Sequence, residues 1–158
     1  MRFVAVAAVV FFFAYYAAGF LAQPLAWFAA TASQALLAAM GAQTELNWVE
    51  SVPHLANAAL DAEIGELCWG RVELAVLLAT IAASEDRSLR QRAAGVVLGV
   101  IAVIGVFNPL RIALSLRFLS EFVHDFLFRV TLLAVLVGFY AFWYLWLTRK
   151  VLIEGRRA

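Results

Sequence analysis

Hydrophobic positions in this chain come in long uncharged blocks separated by short polar ones. Residues 3–23 carry no charge. At ~1.5 Å rise per residue their apolar part, 3–22, matches a hydrocarbon core of ~30 Å, which predicts a first membrane span. Arg2 ahead of it also suits a secretory signal, but the block exceeds the ~7–15 apolar residues of such a region and is thick with Phe and Tyr. It is read as an uncleaved anchor. In residues 24–41, Pro24 suits a helix start. Leu25, Trp27, Phe28, Leu36, Leu37 and Met40 are diluted there by Thr31, Ser33, Gln34 and many Ala. Such a helix either spans or lies in the interface with Trp27 near the headgroups.

Residues 42–67 form the one long polar stretch, with Glu45, Glu50, Asp61, Glu63 and Glu66 and no Lys or Arg. This segment stays in water, as a solvated face or as an acidic surface for basic substrate residues. Residues 68–83 read as a short apolar helix marked by Arg71 and Glu73 in its first turns, and 84–92 as a basic loop. Residues 93–107 are uncharged and end at Asn108-Pro109, a pair that closes or kinks helices. Residues 108–125 mix Arg111, Arg117, Glu121, His124 and Asp125 with apolar neighbours. A last span covers 126–147, where Trp143, Tyr144 and Trp146 resemble an interfacial belt, and 148–158 form a basic tail.

Composition sharpens this picture. Of 158 residues, 65% are hydrophobic, against ~45–50% in soluble domains. The 15% charged residues and net charge of +1 leave no electrostatic footprint for nucleic acid. The partner implied is lipid. One cysteine excludes an internal disulfide, and Cys68 with His54 and His124 cannot make a four-ligand zinc site from those residue types. No metal or cofactor is expected, and no phosphate loop, zinc helix or serine elbow is present.

Arg2, the Arg87, Arg90 and Arg92 loop, and Arg149, Lys150, Arg156 and Arg157 make eight of the twelve basic residues. Cytoplasmic segments collect Lys and Arg, so all three groups are expected inside. That requires four crossings, with 24–41 lying on or dipping into the outer face. The expected architecture is an all-α integral membrane protein with about four spans, one interfacial helix and a short polar outer segment, partly extended or hairpin-like. The acidic segment, Cys68, the corner from Asn108 to Arg111 and His124 then share the extracytoplasmic side of a plasma membrane.

Ionisable groups at membrane depth cost a few kcal/mol or more unless paired or hydrated, so each is a functional candidate. Cys68 opens the predicted helix, where the macrodipole and Arg71 one turn later favour a thiolate. Alternatively it is inert packing. Arg111, with five donors and a permanent charge, suits a developing oxyanion, or it snorkels to headgroups. Asn108 either bonds within the site or caps the helix break. His124 has the pKa range to shuttle protons, while Asp125 either orients it or pairs with Arg129.

Cys68-Trp69-Gly70 at a helix start, Asn108-Pro109-Leu110-Arg111 at the end of the next span, and His124-Asp125 before the last one resemble the exosortase/archaeosortase family. The match runs over roughly residues 24–136. The resemblance implies a membrane cysteine transpeptidase acting on C-terminal tripartite signals of the PEP-CTERM kind carried by exported proteins. It implies that Cys68 attacks, Arg111 stabilises and His124 transfers protons, with Asn108, Gly70, Trp69 and Arg71 in support. Trp69 departs from the family's usual small polar residue, which puts signal preference in doubt, and the family's extra N-terminal spans are missing, pointing to a compact subtype. Two other classes fit the same spans: a non-enzymatic scaffold with Cys68 as packing, and a small transporter subunit using Arg111 and His124. The oligomeric state is not legible.

Overall fold

The computed structural model describes residues 2–58, 60–66, 68–118, 126 and 134–145. Helix α1 (Arg2–Gly19) ends three residues before the expected limit of 22, because the Phe20 and Leu21 amides turn back to the carbonyls of Ala17 and Ala18. Helix α2 (Ala22–Ala39) starts two residues before Pro24. The proline sits in its first turn, where no intrahelical N–H bond is lost.

The polar stretch folds as a three-stranded antiparallel sheet in the order β1 (Glu45–Val49), β2 (Val52–Asn57), β3 (Leu60–Glu63). Its β1–β2 turn places Glu50 and Ser51 at positive φ, 49° and 71°. Two left-handed turn residues match the right-handed twist of the flanking strands, and the register runs from Val49 opposite Val52 to Glu45 opposite Ala56. Leu55 points inward from the central strand and is fully buried.

Helix α3 is Arg71–Ala83. Its 13 residues cover ~20 Å, less than a bilayer core, so the expected span over 68–83 is shorter than read. Cys68, Trp69 and Gly70 lie in a turn before it. Next, α4 (Leu89–Gly99), a π-helical stretch (Val100–Phe107) and α5 (Asn108–Phe118) run as one continuous helix. The break expected at Asn108-Pro109 does not occur. Proline in a regular α-helix collides with the carbonyl four residues back, and the wider π turns before Pro109 move that carbonyl aside. Helix α6 (Ala134–Leu145) follows; the expected last span and basic tail otherwise lie outside the described residues.

Among the described residues, two helices are long and apolar enough to cross a membrane, Arg2–Gly19 and Leu89–Phe118. Only Ala18 of α1 is buried, while Phe12, Phe13 and Tyr16 stand exposed, an apolar exterior of the kind lipid covers. Helices α1 and α3 pack antiparallel, joined near one end by Arg71 and Tyr15 and beyond the other by Arg2 and Glu85. One core cluster joins Ala26, Ala30 and Leu37 of α2 to Leu55, Trp69 and Ile112. Small residues let α2 and α5 approach closely, and the Ser33 hydroxyl donates to the Pro109 carbonyl at 3.1 Å.

A second cluster joins Leu77 and Ile81 to Val103, Ile104, Leu136 and Trp143. Trp143 is 1% exposed, and its indole donates to the Gln91 carbonyl. It is therefore a packing residue of the bundle and not part of an interfacial belt; Tyr144 bonds Asp86 at 2.6 Å. Trp146 lies outside the described residues.

A Cβ at Gly95 would fall 2.5 Å from the Trp143 indole, whereas one at Gly138 would meet open space. Gly95→Ala is expected to cost ~1–3 kcal/mol by overpacking. Gly138→Ala is expected to be neutral or stabilising by up to ~1 kcal/mol. Thermal unfolding of both variants in the same detergent reads the difference.

Candidate functional site

The site is assembled at the top of α3 from the turn before it and from the facing helix. The strand β3 runs out into Ile64, whose amide bonds Pro53, and the chain turns back with the Cys68 amide on the Gly65 carbonyl at 2.9 Å. Trp69 is 1% exposed and plugs the core beneath this turn. Gly70 then caps α3 with φ +93°. A Cβ there would sit 2.9 Å from Ile104 and 3.6 Å from the Asn108 amide, so glycine serves both the backbone angle and the close approach.

Three side chains converge behind Cys68. The Asn108 amide donates to the Cys68 carbonyl at 2.8 Å, and its own oxygen accepts from Arg111 Nη2 at 2.7 Å. Arg111 Nη1 donates to Glu73 Oε1 at 2.8 Å, and Nη2 makes a longer contact of 3.5 Å to the Cys68 carbonyl. Arg111 is 5% and Glu73 6% exposed. Snorkelling to headgroups is thereby excluded for Arg111, and Asn108 is a bonded site residue rather than a cap at a helix break.

The half-buried Cys68 thiol lies 3.8 Å from the Glu63 carbonyl. It borders a cleft of about 140 Å³ with Arg111, Ile64, Ile112, Ser115 and Leu116. Burial pushes the thiol pKa up, and the Arg111 charge pulls against it. This corrects two sequence expectations. Cys68 lies three residues before α3 rather than at its N-terminus, so it does not receive the macrodipole as a first-turn residue would. Nor does Arg71 supply the charge: its guanidinium bonds Glu66 at 2.9 Å and the Tyr15 carbonyl at 3.0 Å, and stacks over the Tyr15 ring.

Of the expected residues, the structure unites Cys68, Gly70, Asn108 and Arg111; Trp69 is core packing and Arg71 is a strut to α1. His124, Asp125 and the rest of 119–125 lie outside the described residues. His54 bonds Asp61 at 2.9 Å on the face of the sheet opposite Leu55, so it does not border the cleft. Among the described residues no group of three or more His, Cys, Asp or Glu could hold a metal.

Sequence reading missed Glu73 and Ser115. The signal for Glu73 was its position as the one acidic residue of an otherwise apolar helix. Ser115 Oγ is buried and has no hydrogen-bond partner among the described residues, whereas the hydroxyls of Thr31 and Thr80 within helices, and of Ser84 at the end of α3, each bond the carbonyl four residues back. Nothing in the sequence distinguishes Ser115 from them.

Thiolate is the reactive form. Arg111→Gln removes the group that lowers the Cys68 pKa, so alkylation of Cys68 near pH 8 is expected to slow. Glu73→Gln removes a negative charge that raises it, so alkylation is expected to quicken. Mass spectrometry of iodoacetamide-treated protein over a pH series gives both rates; a shift of the same sign in the two variants would contradict this electrostatic account. Glu73→Ala, which strands a buried guanidinium, is expected to cost ~3–5 kcal/mol of stability. Comparison with known proteins returns no family model, no curated protein and no solved structure that matches this chain.

Proposed function

We propose that this protein is a membrane-embedded cysteine transpeptidase or peptidase of the exosortase kind, cleaving C-terminal tripartite signals of exported proteins. The observation that carries this reading is a cleft bordered by both the only thiol and a buried, pre-oriented guanidinium. Residues 89–108 cover ~25–30 Å at ~1.5 Å per residue, near the hydrocarbon thickness of ~30 Å. Cys68 and Asn108 therefore sit about one bilayer core away from the basic loop. That depth suits a substrate cut just outside its own apolar helix. With the basic loop cytoplasmic, the cleft is extracytoplasmic; four crossings, with both termini inside, complete this topology.

In the proposed reaction the Cys68 thiolate attacks a substrate backbone carbonyl carbon. The new oxyanion is met by Arg111 Nη2, which gives up its long contact to the Cys68 carbonyl while Glu73 and Asn108 hold the guanidinium plane. The tetrahedral intermediate breaks its C–N bond, and the leaving amine takes a proton from His124, a role carried over from the family resemblance. The product is a thioester on Cys68. An incoming amine or water attacks it, losing its proton to His124, and the thiolate is released. The Ser115 hydroxyl supplies a donor for the substrate backbone in the same cleft.

A second reading, a scaffold without catalysis, is favoured by the raised thiol pKa and by a guanidinium already engaged in bonds within the fold. The two differ at Cys68. The test is C-terminal mass spectrometry of an exported protein ending in a short motif, an apolar helix and a basic tail, incubated in membranes with each variant. Tail loss with wild type, none with Cys68→Ala or His124→Ala, and a fall of ~10²–10³-fold with Arg111→Ala are expected, with a thioester adduct on Cys68. Equal processing by folded Cys68→Ala overturns the enzyme and leaves the scaffold. In the same assay Ser115→Ala is expected to raise KM with little change in kcat, and Ser115→Thr to restore it.

A further inference from the structure

Away from Cys68, a groove of about 520 Å³ opens between α1 and α4 with the lower part of α3 as its floor. Its volume falls within the ~300–1,000 Å³ typical of ligand sites. It separates the two helices long and apolar enough to cross a membrane. Val10, Phe13, Ala14, Ile81 and Val96 line it, and Arg92 is its one charged lining residue.

Arg92 is only partly satisfied. Its Nη1 donates to the Ala82 carbonyl at 3.0 Å, while Nε is buried with no hydrogen-bond partner among the described residues. With one hydrogen bond among the described residues, the guanidinium keeps donors and its full charge for an anionic acceptor in the groove.

The other charges at this end are largely committed. Glu85 pairs with Arg2 at 3.1 Å, and Asp86 lies 3.5 Å from Arg87 and accepts from Tyr144. Arg90 is exposed in the first turn of α4 and has no ion-pair partner among the described residues. An apolar slot with a cationic rim at one end complements an acyl chain carrying an anionic head. It does not complement a helix with a basic tail, and two parallel copies of this chain would bring their own Arg2 and Arg92 ends together.

We propose that this groove is a binding site for one anionic phospholipid, with an acyl chain between α1 and α4 and the phosphate on the Arg92 guanidinium. The assignment rests on α1 and the long helix crossing the membrane and is independent of chemistry at Cys68.

The full chain, extracted in detergent and stripped of lipid, is titrated with phosphatidylglycerol or phosphatidylcholine of identical chains and read by native mass spectrometry. One retained phosphatidylglycerol, bound about tenfold more tightly than phosphatidylcholine, is expected, from a charge-assisted hydrogen-bond pair. Arg92→Gln is expected to erase the preference. Ala14→Phe, which fills the groove, is expected to lose the adduct, with thermal unfolding checking that each variant is folded. Equal binding of the two lipids, or an unchanged preference in folded Arg92→Gln, overturns the proposal. So does a photo-crosslinker at Phe13 that captures a second copy or another protein instead of lipid. Tail processing by Arg92→Gln is measured in parallel, so failure of the lipid site and failure of the transpeptidase reading are separate results.

Discussion

A guanidinium buried at 5% exposure must find its counter-charge and its acceptors inside the protein. Arg111 finds them on two other parts of the chain: Glu73 on α3 and the Cys68 carbonyl in the turn, with Asn108 one turn back on its own helix. Removing either charge of the Glu73–Arg111 pair leaves the other uncompensated, so α3, the Cys68 turn and the long helix are held in one register. The cleft follows from this arrangement, since the thiol can stand beside Arg111 only while the turn is held against Asn108.

The backbone is adjusted to make that contact. The π-helical stretch lets the helix pass through Pro109 without a break, and the Pro109 carbonyl accepts from Ser33 on α2. Gly70 admits Ile104 and Asn108 to the turn at distances no Cβ would allow. Trp69 then fills the space under the sheet. Its large indole is accommodated in the core between α2, β2 and α5.

The opposite end is secured by different means. Ser84 bonds Tyr140, the Arg87 guanidinium lies 3.8 Å from the centre of the Tyr144 ring, and Trp143 nests against Gly95. These contacts clamp the α3–α4 loop to α6. They do not close the space between α1 and α4, because α1 is held through α3, by Arg71 at one end, and by the Arg2–Glu85 pair at the other.

Long uncharged blocks were legible as apolar helices because hydrocarbon burial depends on composition over ~20 residues and not on any particular contact. The sheet in residues 42–67 was anticipated as an extended polar segment, and Cys68, Asn108 and Arg111 stood out because polar groups are rare and costly among apolar neighbours. The rest was decided by tertiary contact. Pro109 signals a break locally, yet the π-helical turns before it carry the helix through, and α5 then packs on α2. Glu73 reads as a first-turn acid until Arg111, 38 positions away, meets it. Trp143 reads as an interfacial residue until a glycine across the bundle makes room for its indole. Local sequence therefore determined which segments are apolar and which side chains are chemically unusual. Only the fold decided which charges neutralise each other, because that depends on distances between residues remote along the chain.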